Sequence, residues 1–217
     1  MDEFHERLIR IGLDALGERF GYALAGGYAI RAHRIVDRLS EDVDLFAPMD
    51  RRGEMPAAMV CVTAAYAAAG LQVELDHQAE TYTRLMVSDA ESGAQSKVEL
   101  VAEFLGHPPV ESEYGPMLHR DDVAAGKMSA LFSRAELRDA IDVDGLLRAG
   151  YSKERLLGLA AERDAGFDLR MFADSLGAIR RFGDERYAAY GIDAGGAAAI
   201  RQRCEEWRCE LLADSGS

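Results

Sequence analysis

Apolar positions early in the chain recur at helical spacing. Phe4, Leu8, Ile11 and Leu16 stand among charges, which predicts an amphipathic helix over residues 2–20. The rhythm then shortens. Tyr22 to Ala25 reads as a short strand running into Gly26-Gly27, Tyr28 to Val36 as a helix, and Asp42 to Phe46 as a strand alternating acidic and apolar residues. Pro56 to Ala69 is nearly all apolar, with proline near its start and Gly70 after its end, the punctuation of a buried helix. Leu71 to Asp76, Tyr82 to Ser88 and Lys97 to Glu103 read as strands, the last two joined by turn residues 91–95, and Pro108-Pro109 closes this stretch. From Arg120 onward every periodic segment is helical: 121–148, 152–164, 168–181, 184–190 and 194–213, with the last five residues expected to fray. The pattern predicts an α+β fold: a small mixed β-sheet core flanked by helices over 1–119, then an α-helical C-terminal bundle over 120–217.

Chemistry concentrates where the glycine turn meets the acidic strand. Asp42 and Asp44, two apart on a strand, project to one face, and two carboxylates side by side repel unless a cation sits between them. Their oxygens are hard ligands suited to magnesium, with manganese as an alternative. Gly26 and Gly27 lack Cβ atoms, so their backbone amides can approach phosphate oxygens; Ser40 adds a hydroxyl and Arg38 a guanidinium suited to phosphate. Glu99 alternates with Val98 and Leu100 and faces away from them, which makes it a third carboxylate from a neighbouring strand.

These residues carry a resemblance. Gly26-Gly27-Tyr28-Ala29, Arg38-Leu39-Ser40, Asp42-Val43-Asp44-Leu45-Phe46 and the Lys97-to-Leu100 strand resemble the nucleotidyltransferases of the DNA polymerase β superfamily. More narrowly they resemble the AbiEii/AbiGii toxin family. Lys127-Met-Ser-Ala-Leu131-Phe-Ser-Arg134 and Arg138-Asp139-Ala-Ile-Asp142 resemble that family's Lys-x-x-Ala-Leu-x-x-Arg and Arg-Asp-x-x-Asp motifs. The resemblance runs from about Leu24 to Leu147. It departs at Tyr28, where relatives usually carry Thr or Ser, and at Glu99, where Asp is commoner.

The resemblance implies a metal-dependent transfer of a nucleoside monophosphate from a nucleoside triphosphate to an acceptor hydroxyl, with release of pyrophosphate. Asp42, Asp44 and Glu99 would hold the metals, and Gly26, Gly27, Arg38, Ser40, Lys127, Arg134, Arg138 and Asp142 would surround the nucleotide. It also implies an RNA acceptor, tRNA above all, toxicity by blocking translation, and an antitoxin partner. Two other readings stay open: nucleotide transfer to a small molecule such as an antibiotic, and a nucleotide-binding regulatory protein without catalysis.

The second half adds a spacing of its own. Leu131, Arg134, Arg138 and Asp142 follow Lys127 at intervals that share one stripe of an unbroken helix, and no Pro or Gly lies between Lys127 and Asp144. Such a stripe predicts a cationic face for a triphosphate tail, reaching the active site through Lys127; ordinary i,i+4 ion pairs such as Arg138 with Asp142 are the plainer alternative.

Composition narrows the partners. The net charge is −13, with 10 basic and 18 acidic side chains in residues 1–110 and 15 and 20 in residues 111–217, so neither half offers a broad electrostatic footprint for duplex nucleic acid. Cys61, Cys204 and Cys209 fit neither zinc spacing nor a disulfide framework. No apolar run reaches membrane-spanning length and the first residues are acidic, so a cytoplasmic protein without a membrane partner is expected. The five scattered histidines are expected to be surface or packing residues rather than ligands, and Trp207 a core residue or a partner contact.

Overall fold

A computed structural model describes residues 2–214, so Ser215–Ser217, where fraying is expected, lie outside the described residues. The chain divides into two compact units: residues 1–33 with 39–123, and residues 34–38 with 124–217.

The first unit begins with helix α1 (Glu3–Phe20). Asp2 caps it by accepting the amides of Phe4 and His5, and Gly21, with φ of 71°, ends it in the left-handed region. Next come β1 (Ala23–Leu24), α2 (Gly26–Ala32), β2 (Asp42–Pro48), a 3-10 turn (Met49–Glu54) and α3 (Met55–Ala68). Strands β3 (Gln72–Gln78), β4 (Tyr82–Ser88), β5 (Gln95–Glu103), β6 (Val110–Ser112) and β7 (Gly115–Met117) complete a seven-stranded sheet ordered β3-β4-β5-β2-β1-β7-β6. It is mixed: β2 runs parallel to β5 and β1 parallel to β7, while the other neighbours are antiparallel.

Period-two alternation gives the sheet two unlike faces. Val43 and Leu45 of β2, Leu85 and Val87 of β4, and Val98 and Leu100 of β5 are buried. Helix α1 packs on that face with its buried stripe Leu8, Ile9, Leu13 and Leu16, each such side chain contributing roughly 1.5–3 kcal/mol. Gly12 permits the approach, because a Cβ there would meet Leu45 Cδ1 at 2.8 Å. Tyr66 of α3 ties the two helices by donating to the Leu8 carbonyl at 3.0 Å. Helix α3 is not the fully buried helix its composition suggests. Only Met55, Ala58, Val62 and Tyr66 are buried, and Val60 is 63% exposed, because small alanines let an apolar segment lie half in water without marking which face is inside.

The second unit is helical. Helix α4 (Arg120–Arg134) leads into it, followed by α5 (Leu137–Arg148), α6 (Lys153–Arg163), α7 (Leu169–Ala178), a 3-10 turn (Ile179–Arg181), α8 (Asp184–Ala188) and α9 (Ala194–Asp214). Its core centres on Phe172 and Trp207, packed edge to face at 5.2 Å, so Trp207 is a packing residue. Residues 34–38 belong here through Ile35 and Val36: a Cβ on Gly145 of α5 would stand 2.2 Å from Val36 Cγ2.

The unbroken helix expected from Lys127 to Asp142 does not exist. Helix α4 stops at Arg134; Ala135 takes a positive φ of 49° and Glu136 an extended conformation before α5 begins. Neither proline nor glycine marks the break. Tertiary bonds hold it: Arg134 grips Asp139 across the corner with two hydrogen bonds of 2.8 Å, and Arg181 donates to the Ala135 carbonyl at 2.9 Å.

Candidate active site

The first unit gathers the carboxylates. Parallel pairing sets Asp44 opposite Glu99 and Asp42 opposite Lys97, so all four side chains stand on the sheet face away from α1 and α3. Each is half-buried. The glycine turn adjoins them. The Ala25 amide donates to the Asp44 carbonyl at 2.9 Å, and Gly26, with φ of 60°, lies so near that a Cβ would stand 1.7 Å from Asp44 Oδ2. Only glycine satisfies both the positive φ and the missing volume.

Glu99 is held from β4. Tyr82 donates to its Oε1 at 2.8 Å and Arg84 Nε to the same oxygen at 3.0 Å, while Arg84 also approaches Asp76 at 3.5 Å. Burial raises the Tyr82 phenol to about 12, and the Glu99 carboxylate adds to the rise. Lys97 lies 3.7 Å from Asp42. Arg84 and Lys97 therefore offset part of the carboxylate charge locally. Chain order hides this: Tyr82, Arg84 and Lys97 sit on strands whose pairing alone brings them to the acids. The one available signal was alternation, since Tyr82, Arg84, Lys97 and Glu99 fall on the non-apolar phase of their strands.

Ser40 and Tyr28 adjoin the start of β2. The Ser40 hydroxyl donates to the Asp42 carbonyl at 3.3 Å. Tyr28, the departure from the resembled motif, is buried: its hydroxyl donates to the Ser40 carbonyl at 3.5 Å and contacts His5 Nδ1. Burial lowers the His5 pKa against the pull of Asp2 and Asp42.

The second unit gathers the phosphate candidates differently from the stripe. Arg38 makes two 2.6 Å hydrogen bonds to Asp142, and Lys127 Nζ lies 2.8 Å from the same carboxylate. Asp142 is fully buried and Arg38 and Lys127 nearly so. Burial by itself would raise the Asp142 pKa, but Lys127 and Arg38 overcome it and hold the carboxyl below its usual range. Asp142 thus serves two cations at once, and the buried Asp139 also acts on Arg38. Arg134 is exposed and committed to Asp139, and Arg138 is half-buried on α5. The i,i+4 pairing of Arg138 with Asp142 on a solvated face therefore gives way to a buried cluster with long-range partners.

A second set of donors comes together in the first unit. His107, His119 and Asp121 bring ligand atoms within 4.8 Å of one another. The two imidazoles stack at 4.3 Å with their planes 21° apart, and His119 Nδ1 accepts the Asp121 amide at 3.2 Å. The cysteines are free, and no helix of the described residues is long and apolar enough to cross a membrane.

The glycine turn locked under a carboxylate and the acids in register on adjacent parallel strands stand together on one face of a small mixed sheet. The family model "Nucleotidyl transferase AbiEii toxin, Type IV TA system" matches residues 7–190, and the chain belongs to that family. Among solved structures the fold is similar to JHP933 from Helicobacter pylori, at 17% identity and a TM-score of 0.58, covering 99% of this chain and 94% of that one. It is also similar to MenT4, a nucleotidyltransferase toxin from Mycobacterium tuberculosis H37Rv, at 16% identity and a TM-score of 0.56, covering 96% of this chain and 83% of that one. No curated protein matches the sequence.

Proposed function

We propose that this member of the family transfers a nucleoside monophosphate from a nucleoside triphosphate to an acceptor hydroxyl of RNA, tRNA above all, as the toxin of a cytoplasmic toxin–antitoxin system. The observation that carries the reading is the register of Asp44 with Glu99 beside Asp42, on one sheet face against a turn that only glycine can form.

The donor set suits a divalent cation. Three half-buried carboxylates offer hard oxygens, and both hydrogen bonds to Glu99 fall on Oε1, which leaves Oε2 for another ligand. Asp42, Asp44 and Glu99 would hold magnesium or manganese. When bound, such ions acidify an attacking hydroxyl and offset the charge of a leaving pyrophosphate.

The protein's own groups orient that chemistry. Gly26 leaves room for the Asp44 carboxylate, and the backbone amides of the Gly26-Gly27 turn would meet phosphate oxygens beside it. Tyr82 and Arg84 hold Glu99 in one rotamer, so its free oxygen is aimed before any ligand arrives. Ser40 fixes the backbone leading into β2. Lys127 is proposed to contact phosphate, held in place by the Asp142 carboxylate it shares with Arg38, with Arg134 and Arg138 as further cations. The net charge of −13 keeps a small-molecule acceptor as the second reading, since no broad basic surface favours a polyanion.

The experiment measures pyrophosphate from each nucleoside triphosphate with and without total RNA, with mass spectrometry of the RNA. Release that depends on RNA, with added nucleotide mass on tRNA, is the expected result. With a panel of hydroxylated small molecules as a further arm, release that depends on one of them instead of RNA points to the small-molecule acceptor, and no release under any condition overturns transfer.

A further inference from the structure

Helices α5 and α9 border an open pocket of about 450 Å³, wholly within the second unit, that the proposed chemistry does not use. Asp144, Arg148, Arg203 and Ile200 line it together with the segment around Gly191–Gly196. Asp144 is buried, yet it serves two arginines at once: Arg148 Nε donates to Oδ2 at 3.0 Å and Arg203 Nε to Oδ1 at 2.5 Å.

That choice of nitrogen matters. A guanidinium is a planar fork with five N–H donors. Each arginine binds Asp144 through the Nε side, so the end formed by its two Nη groups is uncommitted to Asp144. The side chains of Arg148 and Arg203 are 60% and 37% exposed, so those ends meet solvent at the pocket. Sharing one carboxylate also holds the two forks close together without the entropy cost that two loose arginines would meet on binding.

The helix start beside them offers little by itself. Asp193 accepts the Gly196 amide at 2.7 Å and caps α9. The donors on offer are therefore the arginine ends, flanked by Ile192 and Ile200.

We infer that this arginine pair, braced by Asp144, binds the phosphate group of a phosphate ester. Phosphate fits better than carboxylate because two forks each seek a pair of oxygens. A carboxylate has one pair, whereas a tetrahedral phosphate presents different pairs to different forks. The isoleucines give apolar contact to the organic part. A mononucleotide and the backbone of single-stranded RNA share this chemistry, and the site does not depend on whether the carboxylates of the first unit catalyse transfer.

The test is an amide NMR titration of the full chain with inorganic phosphate, adenosine 5′-monophosphate, a short single-stranded oligoribonucleotide and, as the phosphate-free control, adenosine. The expected result is saturable shifts at Gly191, Gly195 and Gly196 for the phosphate-bearing probes and none for adenosine. Arg148→Gln should weaken binding about ten-fold, with Arg148→Lys in between, since lysine keeps charge but not the fork. Asp144 keeps one arginine in that variant; should it fail to fold, Arg203→Gln replaces it. Tighter binding of the oligonucleotide than of the monophosphate assigns the site to RNA backbone, and equal or weaker binding assigns it to a mononucleotide. No shifts at these glycines, or equal affinity in the folded Gln variant, overturns the inference.

Discussion

Gly26 and Asp44 occupy adjoining space: a Cβ on Gly26 would stand 1.7 Å from the Asp44 carboxylate oxygen, and the Gly26 φ of 60° is itself one that side chains rarely adopt. Gly26→Ala therefore meets both a steric overlap and about 1–2 kcal/mol of left-handed strain. The variant should fold with a lowered melting temperature and lose transfer by at least about two orders of magnitude, since a displacement of an ångström at a reacting centre suffices for that. Wild-type turnover in a folded Gly26→Ala protein would separate the glycine turn from the chemistry.

Asp42, Asp44 and Glu99 crowd one face, but Lys97 at 3.7 Å from Asp42 and Arg84 at 3.0 Å from Glu99 relieve much of the repulsion in the metal-free protein. Asp44→Asn should thus melt only slightly above wild type in chelator. Magnesium with nucleoside triphosphate should raise the wild-type melting temperature by mass action and raise the variant's much less. Equal ligand-induced shifts in the two proteins would remove Asp44 from the metal site.

Much of the first unit was legible in the sequence because local patterns carry it. Tyr82–Ser88 matches its strand residue for residue, and alternation put Glu99 on the face that the register sets beside Asp44. Less legible was whatever depends on distant partners. The hairpin of β6 and β7 has strands of three residues, too short for periodicity to show. The break at Ala135 carries neither proline nor glycine, and one of the two contacts that hold it comes from Arg181, 46 residues further on. Arg38 and Asp142 were each read as nucleotide contacts, and neither their pairing nor Arg84 on Glu99 could be seen without the fold, since 104 and 15 residues separate those partners.

Lys127 and Arg38 share Asp142, and the two cations make different predictions. In Lys127→Met the buried carboxylate keeps both hydrogen bonds from Arg38, so the cost should stay below the ~3–5 kcal/mol of an orphaned buried charge. Arg38→Met removes the two-bond partner and should destabilise more. If Lys127 contacts phosphate, Lys127→Met should weaken nucleotide affinity far beyond its effect on melting, measured by calorimetric titration beside a thermal melt. Unchanged affinity would leave Lys127 as a structural partner of Asp142.

His33 supplies the pH dependence. Its Nε2 donates to the Leu118 carbonyl at 2.9 Å. Burial is the main cause lowering its pKa below 6.5; the Leu118 bond opposes, and nearby Arg120 and His119 add to the lowering. In the folded protein the imidazole therefore takes up its proton at lower pH than in the unfolded chain. Between the two values the unfolded state binds more protons, so stability rises with pH across that window and is lost as pH falls below about 6.5. His5, also lowered by burial, acts in the same direction. Wild type should melt progressively lower from pH 7.5 to pH 5.5, with magnesium absent so that metal release plays no part. His33→Gln keeps a donor for the carbonyl but cannot titrate, so its melting temperature should fall by less over the same interval, the remaining slope belonging to His5 and the other groups. The comparison rests on the difference in slope rather than on either melting temperature, because glutamine also changes packing. Parallel lines for the two proteins would mean that His33 titrates alike in the folded and unfolded states, and the acid sensitivity would have to come from elsewhere.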